Sequence, residues 1–138
     1  MPTEQDAYHE LSAYTLTHGD PSFIHQHVVD AWAAQHADDA TRAIGLTFAL
    51  VGLYLHLEKG FSGREVQRAH MQMGRQKRQW PRLALPPHRG GVTAVQVMAA
   101  PEGAARDTAI DEWCRAAWEA FSANRPTVEA LLRVYGIL

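Results

Sequence analysis

The sequence predicts an all-α protein, a single-domain helical bundle of four to five main helices plus a short C-terminal helix. Three observations predict it. Apolar residues recur at helical spacing in successive segments. Residues that start and stop helices stand at the ends of those segments. One segment, residues 43–57, is apolar nearly all round, as a central buried helix would be. A chain of 138 residues suits one domain, and 46% hydrophobic residues can fill its core.

The first helix is expected over residues 4–17. Thr3 can cap it with Asp6 at the reciprocal position, Ala7, Leu11 and Tyr14 share a face, and Gly19 can end it. The second is expected over residues 20–36, with Asp20 as N-cap and Pro21 in the first turn. Ile24, Val28 and Trp32 form its apolar stripe, flanked by His25, Val29 and His36, while His27 and Asp30 fall on the polar side. The third is expected over residues 39–59. Gly45, Ala49, Gly52 and His56 make one narrow face of small residues, which lets another helix approach.

Ser62 and Glu65 form a capping box for a fourth helix, whose inner stripe is Val66, Ala69 and Met73 with His70 beside it. Residues 80–91, WPRLALPPHRGG, hold three prolines and two glycines and read as an ordered loop with Trp80 and Leu83 turned inward. At residues 92–99 a short helix capped by Thr93 competes with a valine-rich strand. A fifth helix, about residues 103–123, places Ile110, Trp113, Ala117 and Phe121 on one face. Pro126 breaks it, and Thr127 can cap a last short helix.

Composition narrows the function. The net charge of −2 gives no global attraction to nucleic acid, and the longest apolar stretch is 15 residues, short of the ~20 that cross a membrane. One cysteine, Cys114, leaves no internal disulfide and reads as a packing residue. The polar start is unlike a targeting peptide, so a cytoplasmic protein is expected. Charge is uneven: residues 1–41 hold seven acids and no Lys or Arg, and residues 64–89 hold seven bases and one acid. Complementarity between these segments, within one chain or across a homodimer, is one expectation, and a small anion at Arg82–Arg89 is a weaker one.

The eight histidines are the chemistry-bearing feature, four of them between His18 and His36. Local spacing argues against a site within one helix. No His-x-x-x-His pair occurs, and His25 and His36 share a face but stand about 16 Å apart. His27 and Asp30, one turn apart, could chelate an ion only on the polar face. A site assembled from several elements is the sharper expectation. His18, His25, His56 and His70 would meet in the bundle core around a divalent zinc, iron or nickel ion. One open position would make it hydrolytic. Against it stands a plainer reading, in which each ring is held by a backbone carbonyl or by Gln26, Gln35 or Asp30. An acid–base histidine without metal is a third reading. Three imidazole nitrogens within about 4 Å of a common point would favour the metal. The non-catalytic alternative is a helical interaction module, a homodimer held by charge and apolar helix faces. Asp20 reads as a cap and Glu58 as a surface charge.

Three runs carry a resemblance: YHELSAYTLTHGDPSFIHQHVVDAWAAQH (8–36), GFSGREVQRAHM (60–71) and WPRLALPP (80–87). Together they resemble a family of small bacterial helical proteins known only as a domain of unknown function. The resemblance implies no activity. Members often carry a cysteine-rich metal-binding stretch ahead of this region, and residues 1–7 hold no cysteine. The size and class are also similar to the DinB-like metal-binding bundles, whose His-x-x-x-His pair this chain lacks.

Overall fold

The computed structural model describes residues 2–18, 20–76 and 79–138. Among them the chain forms seven α-helices and one 3-10 turn, with no strand. The helices are α1 (Glu4–Thr17), α2 (His25–Gln35), α3 (Ala43–Lys59), α4 (Gly63–Gly74), α5 (Ala94–Ala99), α6 (Ala104–Ala120) and α7 (Arg125–Val134), with the 3-10 turn at Ser122–Asn124. The all-α class is as expected, with more helices than the expected four to five plus one. The competition at residues 92–99 resolves as helix, because Thr93 Oγ1 accepts from Gln96 N and Gln96 returns the bond to Thr93 N.

The capping boxes of α1 and α4 form as read, through Thr3 with Asp6 and Ser62 with Glu65. Helix starts without them differ. The second helix begins at His25, not at residue 20. Asp20 instead closes a turn: its carboxylate accepts from Ser22 N at 3.0 Å, Ser22 Oγ at 2.6 Å and Ile24 N at 3.2 Å. Phe23 then adopts a left-handed φ of 61°, which interrupts any helical path from Pro21. Gly19, the expected stop of the first helix, lies outside the described residues. The third helix starts at Ala43, after a turn in which Asp38 and Thr41 bond one another. Pro126 does not end a helix but sits in the first turn of α7, which starts two residues before Thr127.

The core is one continuous cluster centred on α3, where Leu46–Leu55 is buried apart from half-buried Phe48. α3 packs on α2, α4, α6 and α7, while α2 packs on α1, α3, α4 and α6. The small-residue face of α3 works as expected at one point. A Cβ on Gly52 would lie 1.9 Å from Asp30 Oδ2, so only glycine admits the α2 carboxyl there. Gly45, on the same face, has nothing within 4 Å of its Cβ position. Glu58, expected as a plain surface charge, joins three helices: it accepts from Trp118 Nε1 at 2.7 Å and from Arg125 Nε at 2.8 Å. Beside it, burial and the Glu129 carboxylate, which accepts from Tyr54 Oη, push that phenol up to about 12.

The Pro/Gly-rich loop is ordered by two side-chain amides. Asn124 exchanges two bonds with the Ala84 backbone, and Gln35 donates to the Arg89 and Val92 carbonyls while accepting from Trp113 Nε1. Leu83 is buried and Trp80 packs between Phe48 and Tyr135, as the inward reading required. Among the described residues no ion pair joins the acidic segment 1–41 to the basic segment 64–89. Arg64 lies over the Phe23 ring and Arg89 over Phe121. No helix of the described residues is long and apolar enough to cross a membrane.

Candidate functional site

The four histidines expected to converge each have a partner of their own. His18 is exposed at the end of α1 and donates from Nδ1 to the Tyr14 carbonyl at 2.7 Å. His25 Nδ1 lies 3.0 Å from Thr15 Oγ1, whose own hydrogen is aimed at the Leu11 and Ser12 carbonyls, so the ring is the donor. His70 Nε2 donates to the Phe48 carbonyl at 2.7 Å. Burial lowers both His25 and His70 below the usual imidazole value. Among the described residues no three His, Cys, Asp or Glu side chains are grouped to hold a metal ion.

His56 is the exception, because it belongs to a constellation. Its Nδ1 donates to the Phe61 carbonyl at 3.0 Å. Its Nε2 lies 2.8 Å from Asp111 Oδ1 on α6. A carbonyl only accepts, so Nδ1 carries hydrogen, and the Nε2–Asp111 contact shares a further proton between imidazole and carboxyl. Arg115 Nη2 approaches the other Asp111 oxygen at 3.4 Å. Both nitrogens of His56 are therefore engaged, and the ring is fixed between α3, the 60–62 segment and α6.

Against that fixed ring lies His27, the histidine assigned to the polar side of its helix. The expectation was wrong: His27 is 4% exposed and Asp30 3%. The rings of His27 and His56 stack at 3.5 Å between centroids and 15° between planes. His27 Nδ1 is buried without a hydrogen-bond partner, and no bond to its other ring nitrogen occurs among the described residues. Burial, reinforced by His56, brings its pKa down to about 3, so the ring is neutral at ordinary pH. Parallel rings aim their lone pairs in parallel planes, so one ion cannot lie on the axes of both.

One turn along α2, Asp30 is enclosed. Gln26 Nε2 donates to Oδ1 at 3.1 Å, while Oδ2 rests on Gly52 with no partner. Burial raises this carboxyl well above its usual range. Cys114 is buried beside it and donates weakly from Sγ to the His27 carbonyl at 3.6 Å. Burial raises the thiol as well, so Cys114 is a packing residue and not a nucleophile.

The His27–His56 stack forms one wall of a cleft of about 300 Å³. The 20–24 turn, the 60–62 segment and α6 form the rest, contributing Ile24, Phe61, Asp107, Ile110 and Asp111. Local backbone brings these segments together. Arg64 N donates to the Ser22 carbonyl at 2.9 Å, and a Cβ on Gly63 would lie 1.7 Å from Phe23 O, so glycine is needed where the turn meets α4. The site thus offers a neutral imidazole that can donate or accept, a second imidazole sharing a proton with a carboxyl, and an apolar wall. Such a set suits binding of a small organic molecule.

Sequence reasoning chose His56 and missed its partners. His27, Val28, Asp30, Ala31 and Ala34 are the buried residues of α2, while Ile24 and Trp32 of the expected apolar stripe are only half-buried. Gly52 on the facing helix was the available signal, since a small-residue face marks where a neighbouring side chain is admitted.

The chain matches no curated protein and no solved structure. A family model does match, over residues 4–122, a span that holds every residue of the cleft and all three runs on which the resemblance rested. The chain belongs to that family, DUF5946, a family of unknown function.

Proposed function

We propose that this chain is a small-molecule-binding protein whose His27–His56–Asp111 cleft holds its ligand. One observation carries the reading: His27 is almost wholly buried, has no hydrogen bond to its ring, and lines an accessible cleft. A buried polar group left without a partner costs on the order of 1–3 kcal/mol, and a ligand that bonds to it recovers part of that. The carboxylate-linked His56 beneath it keeps the ring plane fixed, which lowers the ordering cost of binding.

A fragment screen observed through the histidine ring signals tests this. Compounds should shift the His27 ring and the Phe61 backbone signals, and His27→Ala should abolish the Phe61 shifts while the helical spectrum persists. A screen with no hit at His27, or with hits indifferent to His27→Ala, overturns the reading.

The metal-centred reading on His18, His25, His56 and His70 is a separate proposal, and it needs those rings to exchange their present partners for the ion. Elemental analysis of protein purified without a histidine tag addresses it. About one zinc, iron or nickel per chain supports it, and less than about 0.2 removes it. A homodimeric interaction module is likewise a separate proposal. A dimer that dissociates with salt in sedimentation would support it, and a monomer at every salt concentration would remove it.

A further inference from the structure

The cleft has a charge as well as a shape. Asp107 and Asp111 line it, and among the described residues no Lys or Arg does. The same two carboxylates also line an adjoining open depression of about 490 Å³, together with Glu112, Thr108 and Arg115. A molecule entering from that side passes three carboxylates and one guanidinium. Asp111 is already matched by His56 and Arg115. Asp107 has no cation partner among the described residues: its Oδ1 accepts from Tyr14 Oη at 3.1 Å, and Tyr14 Oη in turn accepts from Gly103 N. The inner wall behind these carboxylates is apolar, made by Ile24, Phe61 and Ile110. The His27 ring, 4% exposed and without a hydrogen bond among the described residues, lines the same cleft.

Resting on the reading of this cleft as a ligand site, we infer that its ligand is a small organic amine, with the ammonium at Asp107 and a short apolar body against Ile24, Phe61 and Ile110. An anion is disfavoured twice, by the unmatched carboxylate and by the neutral state of His27. A neutral alcohol satisfies the imidazole but leaves Asp107 unused. At about 300 Å³ the cleft lies at the small end of the range for small-molecule pockets.

Three probes of one shape separate these cases: n-butylamine, n-butanol and butyrate, titrated against the full chain and followed through the His27 ring signals. The amine should bind about tenfold tighter than the alcohol, as one partly screened ion pair allows, and butyrate should bind worst. Added salt should weaken the amine and leave the alcohol unchanged. Asp107→Asn keeps the acceptor for Tyr14 but removes the charge, and it should reduce the amine's advantage to about threefold or less. Butyrate binding as well as the amine, or an amine preference that survives Asp107→Asn, overturns the inference while leaving the cleft a ligand site. Binding of none of the three overturns the amine, whereas the cleft as a whole is judged by the fragment screen and His27→Ala.

Discussion

His27 and Asp30 stand one turn apart on α2, both buried and each with a polar atom left unbonded. Their pH signatures are opposite. The folded pKa of His27 is lowered, from 6.5 to about 3. As pH falls below 6.5 the unfolded chain gains a proton that the folded chain refuses, so stability falls, by about 1.4 kcal/mol per pH unit for a single such group. Urea unfolding at several pH values should show His27→Leu flattening this acid-side slope, with His25 and His70 accounting for what persists. Equal slopes in variant and parent would contradict the burial argument. The folded pKa of Asp30 is raised instead. Above 3.8 the unfolded chain loses a proton that the folded chain keeps, so stability falls as pH rises. Asp30→Asn cannot ionise, and its stability relative to the parent should grow with pH above about 4, again by up to about 1.4 kcal/mol per unit. A difference that stays constant across that range would show Asp30 to be ionised in the fold.

Between elements, the decisive contact is α2 against α3 at Gly52. A Cβ there meets Asp30 Oδ2 at 1.9 Å, Asp30 Cγ at 2.6 Å and Val66 Cγ1 at 3.2 Å. Val66 of α4 closes on the same point, so Gly52→Ala should cost about 1–3 kcal/mol in chemical denaturation. Gly45→Ala, on the same face of the same helix, meets nothing within 4 Å and should be stabilising by roughly 0.5–1 kcal/mol from helix propensity alone. Equal effects at the two glycines would mean that the approach at Gly52 is looser than the geometry states. Helix boundaries follow the same division between local and non-local causes. Thr3, Ser62 and Thr93 carry their capping partners three residues away, and their helices begin as the sequence reads. Asp20 and Pro21 carry equally good signals, yet the chain turns at Phe23, because the Ser22 and Phe23 carbonyls meet the start of α4.

For the whole molecule, Glu58 links α3 to Trp118 of α6 and to Arg125 of α7. Glu58→Ala should strand the buried indole donor and lower stability by about 1–2 kcal/mol, read by urea unfolding monitored through tryptophan fluorescence. An unchanged midpoint would reduce this junction to a surface contact. The all-α class, the capping boxes, the buried third helix and the ordered Pro/Gly loop were determined by the sequence alone, because periodicity, caps and backbone-restricting residues act within a few positions of themselves. The family, too, could be read from contiguous runs. The site could not. His56 stands out only as one more histidine until α6 brings Asp111 to one of its ring nitrogens and α2 lays His27 across its face. Tertiary structure alone decided that His27 and Asp30 turn inward, because α2 is covered by neighbours on several sides and a helical wheel records only one helix. Burial, not residue type, then set their protonation and left the His27 ring unbonded in the cleft.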